Sequence, residues 1–438
     1  MTRRIGIDGF NLALRRGSGI ATYGRNLGTA VRALGHETHV LYGPEGRIGK
    51  NRLLNEVALY DEASPGPRSM ISKWTSSTFT SFSRKARRIH RSGEVLPSPA
   101  GARFLPDAAW AAQDVFHRAN RTYAKYKRFT KVSIADEGPA PELMHWTAPL
   151  PLRASGMANV YTIHDLVPLR LPFTTLDNKR RFYFLCKQIC RRADHILTVS
   201  ESARQDIVRI FGVPEDRITN AYQSVSLPPA LTTRSDNDVA AEIEGMFGLD
   251  WKRYFLFFGA VEPKKNLGRI IEAYLVSGAT DPLVIIGGSA WLDEDETRLL
   301  YKDIVVIQAL QENIIRRADR IRRYDYMPLA TLVSLIRGAK ATLFPSLYEG
   351  FGLPVLESMM LGTPVLTSNA GSLPEVAGDA ALVVDPYDTQ AIKRGIQALD
   401  SDADLRADLI ARGRAQAALF SPKLYQDRLA GFYERILR

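Results

Sequence analysis

Short apolar runs alternate with helical patterns twice along this chain, and this arrangement constrains its fold more than any other feature. The first series of strand-like runs lies at residues 4–8, 37–41, 143–146, 160–163, 195–199 and 218–222. The second series lies at residues 254–258, 283–286, 341–344, 364–367 and 382–384. Strands that alternate with helices predict parallel sheets covered by helices. The expected fold class is therefore α/β, with two doubly wound domains in series.

A change of composition separates the two series. Residues 226–238 combine Pro, Thr and Asp without a sustained period, which is typical of a linker. We therefore expect an N-terminal domain at residues 1–230 and a second domain at residues 231–420. An amphipathic pattern from Pro422 to Leu437 predicts a final helix in residues 421–438, packed back on the N-terminal domain. Ligands bind at the carboxyl ends of parallel strands, so the cleft between the domains is the expected site.

The net charge of +11 is concentrated in one region. Residues 68–131 hold fourteen Lys and Arg side chains but only three acidic ones. This region belongs to an irregular, basic insertion at about residues 46–140, in which residues 111–128 are expected to form a helix. A basic helix with apolar residues favours docking on an anionic bilayer. A solvated insertion and an oligomer contact remain alternatives.

Composition also excludes several classes of protein. No apolar run approaches the ~18 residues of a membrane-spanning helix. Asp8 comes too early for a secretory signal, and Cys186 and Cys190 cannot form a disulfide framework. We therefore predict a cytoplasmic protein. No metal site or other cofactor is expected, because Asp293-Glu294-Asp295 is interpreted as a solvated helix start and the cysteines lack zinc-ligand partners.

Two glutamates form the strongest motif. Glu349 and Glu357 flank a helix start, and eight residues at helical rise span at most ~12 Å. This spacing suits two carboxylates that hold the two ends of an elongated polyol. Gly350 and Gly352 allow close backbone approach, and the amides of residues 351–353 are placed to bind oxygen atoms of a ligand.

The Glu349–Glu357 pair resembles the E-x7-E motif of retaining glycosyltransferases with the GT-B fold, and the surrounding run is similar to glycosyltransferase family 4. The similarity covers nearly the whole chain except residues 46–140. It implies two Rossmann-like domains facing a central cleft. It also implies that Glu357 binds the ribose hydroxyls of a nucleotide sugar. The transferred sugar and its phosphate are then held by the catalytic Glu349 and by Gly350, Phe351, Gly352 and Leu353.

Two lysines follow the strand-like run at residues 254–258. Lys264 and Lys265 can neutralise a diphosphate leaving group at a strand-to-helix turn. The resemblance implies that Lys265 is the catalytic diphosphate lysine, and as a turn residue it is expected to have little packing role. Many relatives have Arg where Ala260 stands, so the source of a second positive charge, Lys264 or another residue, stays open.

Two further motifs lie in the N-terminal half. His164 and Asp165 follow the run at residues 160–163, and the family's His-Asp-Leu motif implies a catalytic His164 near the donor sugar or acceptor. Asp165 is expected either to orient His164 or to cap the next turn. Gly17 and Gly19 belong to a Gly-rich loop that, by resemblance, closes over the donor phosphate and the acceptor. Without a third glycine, this loop is weak evidence for a dinucleotide site.

The resemblance implies transfer of a sugar from a nucleotide donor to a hydroxyl with retention of configuration. Residues 373–378 and 384–386 look most like bacterial polysaccharide mannosyltransferases, which favours GDP-mannose as the donor and a glycan or lipid-linked acceptor. A sugar-nucleotide epimerase or hydrolase is the enzymatic alternative. A nucleic-acid-binding protein is the non-enzymatic one, but the aromatic residues of the insertion form no recognisable RNA-binding module, and no nucleic-acid partner is expected.

Overall fold

The computed structural model describes residues 2–12, 19–46, 48–60, 82–96, 104–288, 306–311 and 314–437. The strands in the N-terminal half are β1 (Arg4–Asp8), β2 (Glu37–Tyr42), β3 (Ser83–Ile89), β4 (Ala108–Ala111), β5 (Thr130–Ile134), β6 (Leu143–Trp146), β7 (Leu152–Ala154), β8 (Ala158–Thr162), β9 (His195–Thr198) and β10 (Ile218–Asn220). Those in the C-terminal half are β11 (Phe255–Phe258), β12 (Leu283–Ile286), β13 (Val306–Gln311), β14 (Ile314–Asp319), β15 (Ile321–Tyr324), β16 (Ala341–Phe344), β17 (Val365–Ser368) and β18 (Leu382–Val384).

Helices lie between most of these strands. They are α1 (Gly19–Ala33), α2 (Arg52–Tyr60), α3 (Val115–Tyr126), α4 (Val167–Arg170), α5 (Lys179–Arg192), α6 (Glu201–Phe211), α7 (Pro229–Thr232), α8 (Asp236–Phe247), α9 (Leu267–Ser277), α10 (Leu329–Gly338), α11 (Leu353–Met360), α12 (Leu373–Ala377), α13 (Thr389–Ser401), α14 (Ala403–Ala418) and α15 (Pro422–Ile436). Within the described ranges, no helix is long and apolar enough to cross a membrane.

The N-terminal sheet has the strand order β10-β9-β8-β6-β1-β2-β4-β3-β5-β7. Its strands are parallel from β10 to β4, whereas β3 is antiparallel to β4, and β5 and β7 continue in the direction of β3. The expectation of an irregular insertion is wrong for the described part of residues 46–140, because β4, β3 and β5 extend this sheet. The strands escaped notice because β3 is mostly basic and β4 is rich in Ala, so neither has the usual apolar alternation.

The C-terminal sheet is parallel throughout, in the order β15-β12-β11-β16-β17-β18, and β13 and β14 form a separate antiparallel pair. All five strands predicted here are present, which confirms two parallel-sheet α/β units. The stretch at residues 226–238 is more ordered than a plain linker, since it contains α7 and the start of α8. The predicted domain boundaries remain predictions.

Buried aromatic side chains join the last helix to the N-terminal sheet. The Tyr433 hydroxyl of α15 lies 3.0 Å from Nδ1 of His145 in β6, and His145 Nε2 lies 2.8 Å from the Thr162 hydroxyl. Tyr23 of α1 also reaches Thr162, at 2.9 Å. All four side chains are buried, so α15 completes the core under the carboxyl ends of β6 and β8.

Candidate active site

Polar residues gather where strands of the two sheets end and face each other. His164 and Asp165 follow β8, Lys264 and Lys265 follow β11, and Glu349 follows β16. A methyl group added at Gly350 would lie only 2.6 Å from the carbonyl oxygen of His164. The two sheets therefore bring these predicted site residues together, and only glycine fits at this contact.

Glu349 is the centre of a buried charge cluster. Its Oε1 lies 2.5 Å from Lys265 Nζ, and its Oε2 lies 3.5 Å from Lys264 Nζ. Lys264 is also 3.5 Å from Glu262. Lys265 is only 9% exposed and its ammonium group lies 4.5 Å from the centre of the Phe344 ring. The expectation that Lys265 has little packing role is therefore wrong, since the turn is folded inward against β16.

Glu349 and Lys264 both keep their charge within this cluster. Burial alone would raise the pKa of Glu349, but the charges of Lys264 and Lys265 outweigh it and lower the pKa below its usual value. Burial acts against the charge of Lys264, yet Glu349, Asp165 and Glu262 together raise its pKa. Lys264 is thus a second cation beside Glu349. It is one of the residues that the sequence offered as the source of a second positive charge.

Asn266 fixes the lysine turn to the glutamate loop. Its backbone is left-handed, with φ 63°, a conformation that Asn tolerates better than most residues. Its side-chain amide donates hydrogen bonds to the carbonyl oxygens of Pro345, at 3.0 Å, and Pro386, at 2.7 Å. The lysines are thus held in place by the loop that carries Glu349.

Glu357 differs from Glu349 because its carboxylate is unpaired. The Glu357 side chain has no hydrogen-bond or ion-pair partner among the described residues, and burial raises the pKa of its carboxyl from 4.5 to about 7. A desolvated acceptor without a partner gains free energy when a ligand donates hydrogen bonds to it. Glu357 is therefore available to bind hydroxyl groups.

The N-termini of α1 and α11 face each other beside these carboxylates. A methyl group added at Gly19 would lie 3.7 Å from Cδ1 of Leu353. Gly352 precedes α11 with φ 103°, where a side chain would be strained and would meet Leu373. Gly19 therefore lies next to the start of α11, close to the amides of residues 351–353. Gly17 lies outside the described residues.

His164 is held as a neutral side chain. Its Nε2 donates to the carbonyl oxygen of Thr147 at 2.8 Å, and its ring meets the Tyr23 ring edge-on at 4.8 Å between centres. Burial lowers the pKa of His164. With the proton on Nε2, Nδ1 can accept a hydrogen bond from a substrate hydroxyl. Asp165 accepts from the Val167 amide at 3.0 Å, so it caps the turn into α4, one of its two expected roles.

Asp8, at the end of β1, is a site residue that sequence reasoning missed. Its carboxylate is fully buried, accepts a short hydrogen bond from the Thr147 amide and a second one, at 3.2 Å, from the Phe10 amide. Burial raises the pKa of Asp8 to about 6. Asp8 therefore holds the same residue, Thr147, whose carbonyl holds His164. The available signal was an acid at the carboxyl end of an apolar strand.

Glu375 was also missed and connects the two domains. Its two carboxylate oxygens accept from the amides of Glu201, at 2.9 Å, and Ser202, at 3.0 Å, at the N-terminus of α6. Next to this contact, the Tyr348 hydroxyl donates to Asp206 at 2.5 Å. Both contacts lie near Glu349 and join the N-terminal and C-terminal halves of the chain.

No three His, Cys, Asp or Glu side chains converge as metal ligands within the ranges that the structure describes. Asp293 and Asp295 lie outside those ranges. Cys186 and Cys190 are free, and both are buried on the inner face of α5.

Comparison with known proteins gives the family. Residues 17–227 match the model "Glycosyltransferase Family 4", and residues 247–416 match "Glycosyl transferases group 1". O-antigen chain mannosyltransferase B of Escherichia coli is 35% identical over 269 residues, which are 60% of this chain and 66% of that protein. Serotype-specific mannosyltransferase WbdA of the same species is 29% identical over 282 residues, 63% of this chain and 33% of its own length.

A solved structure has the same fold. Sucrose-phosphate synthase from Thermosynechococcus elongatus has a TM-score of 0.64 and 18% identity, with 99% of each chain covered. The two family matches together span most of the chain, and His164 and Glu349 lie within them. The chain therefore belongs to the glycosyltransferases of family 4 and group 1, and it has their GT-B fold.

Proposed function

We propose that the protein transfers mannose from GDP-mannose, with retention of configuration, to a hydroxyl of a glycan or lipid-linked acceptor. Its place would be in the synthesis of a bacterial surface polysaccharide. The choice of mannose is supported by the names of the two Escherichia coli mannosyltransferases to which the chain is similar. The site chemistry supports a nucleotide-sugar donor.

The observation that carries this proposal is the contrast between the two glutamates. Glu349 holds Lys264 and Lys265 at a fixed place, while Glu357 is half-buried and unpaired. If the diphosphate of the donor lies near the lysines, Glu357 can accept hydrogen bonds from the ribose hydroxyls, and Glu349 can accept them from hydroxyls of the transferred sugar. The amides at the start of α11 add donors for the phosphate oxygens.

The proposed reaction breaks the bond between the sugar anomeric carbon and the diphosphate oxygen. The acceptor hydroxyl attacks from the same face, and its proton passes to the departing diphosphate. Negative charge develops on that diphosphate, where preorganised lysines and amides stabilise the transition state. His164 Nδ1 accepts a hydrogen bond from a donor or acceptor hydroxyl. We propose that lysines and amides replace a metal ion in this role.

Donor binding and product analysis test the proposal. Nucleotide sugars are first compared by the rise in Tm that they produce, because ligand binding to the folded state raises stability. GDP-mannose should give the largest rise, and Glu357→Ala should remove most of it. A larger rise with another sugar nucleotide would overturn the choice of donor.

The anomeric configuration of the product, read by NMR, tests retention, and an inverted product would contradict it. Transfer should survive a strong chelator, whereas a loss that added metal restores would contradict metal independence. Conversion of the donor without any acceptor would favour the epimerase or hydrolase alternative.

We also propose that the enzyme works on the inner face of the cytoplasmic membrane as a peripheral protein. The support for membrane contact is the high density of Lys and Arg in the inserted segment. In β3, however, successive side chains alternate between the two faces of the sheet. Arg84 and Arg88 are therefore on one face and Lys85 and Arg87 on the other, so the run does not form a single docking surface.

A further inference from the structure

Two basic helices lie side by side on the same face of the N-terminal sheet. Arg181 of α5 donates to the carbonyl and side-chain oxygens of Asn120 in α3, both at 2.9 Å. Gln188 of α5 donates to the carbonyl oxygen of Lys127 at 3.2 Å. The inner sides of both helices enter one hydrophobic cluster. Their outer sides therefore form one continuous surface, called here the α3–α5 face.

This face is basic without acidic residues. Residues 115–131 contain six Lys and Arg and residues 179–192 another six, with no Asp or Glu in either stretch. Within the described chain, no carboxylate pairs with Lys125, Arg128, Arg180, Lys187 or Arg191. The guanidinium groups of Arg128 and Arg180 lie over the rings of Phe82 and Phe184, at 5.6 and 6.0 Å from the ring centres. Such a surface attracts an extended anionic partner.

Large apolar side chains are exposed at one end of this face. Phe173 is 62% exposed and Leu176 is 69% exposed, in the short segment that joins α4 to α5. Phe184, on the outer side of α5, is 40% exposed. Three exposed apolar residues within twelve positions, next to α5, have no covering element among the described residues. An apolar end beside a cationic face is the pattern of a surface that lies in a bilayer interface.

The apolar end is next to the active site. Arg170, at the end of α4, lies 5.7 Å from the centre of the Tyr348 ring and 3.3 Å from Asp206. Tyr348 precedes Glu349 in the chain. Three residues span at most about 10 Å, so Phe173 is close to this contact. A bilayer that received Phe173 and Leu176 would lie at the mouth of the cleft.

From these observations we propose that the α3–α5 face docks on an anionic bilayer, with Phe173 and Leu176 inserted between the headgroups. Cations alone would fit nucleic acid, but the adjacent aliphatic and aromatic side chains favour lipid. The inference deepens the proposed function, because it gives the enzyme direct access to an acceptor anchored in the membrane. Vesicle binding itself needs no donor or acceptor, so it is tested separately from the reaction.

The apolar contribution is tested with Phe173→Ser/Leu176→Ser in the full chain. Co-sedimentation uses vesicles of phosphatidylglycerol and phosphatidylcholine, and vesicles of phosphatidylcholine alone. Binding of the variant to anionic vesicles should fall about tenfold, since each Phe or Leu side chain that leaves water adds favourable free energy to membrane binding. Leu53→Ser/Leu54→Ser is the matched control, because these residues of α2 are 48% and 61% exposed away from this face. An equal loss of vesicle binding in the test variant and in the control variant would overturn the proposal.

The charge contribution is tested with Arg180→Ser/Arg191→Ser. Binding to anionic vesicles should fall about fivefold for each cation removed and weaken with added salt. The control, Arg394→Ser/Lys423→Ser, removes the same charge from α13 and α15 and should bind like the wild type. Equal binding of the wild type to neutral and anionic vesicles would refute the docking surface. Tighter, salt-sensitive binding to single-stranded DNA than to vesicles would instead assign the face to nucleic acid.

The effect on the reaction separates this inference from the proposed function. Transfer to a short water-soluble acceptor should be unchanged in both test variants, while transfer to a lipid-linked acceptor in vesicles should fall with vesicle binding. If vesicle binding behaves as expected but no donor supports transfer, the proposed donor fails and the docking surface stands. If soluble transfer falls equally, the residues act on the site and the docking inference fails.

Discussion

The pairing of Lys265 with Glu349 can be divided into a structural and a catalytic part by a double-mutant cycle. The variants are Lys265→Met, Glu349→Gln and the two together. In the wild type, Lys265 Nζ lies 2.5 Å from Glu349 Oε1 and both side chains are buried. Each single variant leaves a buried charge without its nearest partner, whereas the double variant removes both charges.

The structure sets the expected magnitudes. Breaking a buried ion pair by removing one partner costs about 3–5 kcal/mol of the free energy of unfolding. Lys264 remains 3.5 Å from Glu349, so Lys265→Met should fall at the lower end of that range, ~3 kcal/mol. In the double variant the loss should shrink to about 1 kcal/mol, because neutral side chains of similar size replace both charges. Transfer should fall by roughly 10²–10³ in every variant, since preorganised charge at the leaving group is lost.

Two measurements are needed for each variant. Urea unfolding gives the free energy of unfolding, and initial rates with saturating donor give kcat. We expect stability to recover in the double variant while kcat does not. Recovery of both would refute the catalytic assignment, because the pair would then act only on folding. Failure of stability to recover would refute the argument from buried charge.

Three further predictions follow from the site. Glu357→Gln should weaken donor binding more than turnover. Burial raises the pKa of Glu357 from 4.5 to about 7, so the folded protein holds a proton that the unfolded chain releases, and stability falls as pH rises between these values. The Tm advantage of Glu357→Gln over the wild type should therefore grow between about pH 5 and pH 8, and a constant difference would contradict the pKa shift. Asp8→Ala should lower kcat roughly tenfold or more while donor binding changes little, because Thr147 loses the acceptor that orients it against His164; an unchanged kcat would remove Asp8 from the site. Glu375→Gln should raise the donor KM a few-fold, since the contact between the two halves loses about 1 kcal/mol of charge–helix attraction at α6, and an unchanged KM would show that donor binding does not depend on this contact.

The sequence predicted the parts of the fold that follow simple periodicity. Every apolar run assigned as a strand in the two series is a strand, because runs such as 254–258 and 341–344 are buried on both faces of parallel sheets. The placement of Glu349, Lys265 and His164 at the sheet edges was also predictable, since each lies in the loop that follows such a strand. Strand order brings them together, and the carboxyl ends of parallel strands share one edge.

Other features depend on contacts that a linear pattern does not contain. Asp8 ends an apolar strand, a position where an acid often only caps a turn. Its buried hydrogen bond from Thr147 shows that it supports His164. The basic residues of α5 do not stand out in the net charge, because acids elsewhere in the chain balance them. Lys265 was expected at an exposed turn, and its burial depends on a glutamate that is 84 positions away.

The contact between Tyr433 and His145 also bears on how the chain folds during synthesis. The two residues are 288 positions apart, yet both lie in the core of the N-terminal sheet. At about 5–20 residues per second, the ribosome adds Tyr433 roughly 15–60 s after His145. During that interval β6 and β8 lack α15, and Nδ1 of His145 lacks its Tyr433 partner, while Nε2 can already contact Thr162. The core of the N-terminal sheet is therefore completed only after α15 has been synthesised, which follows the whole C-terminal sheet in the sequence.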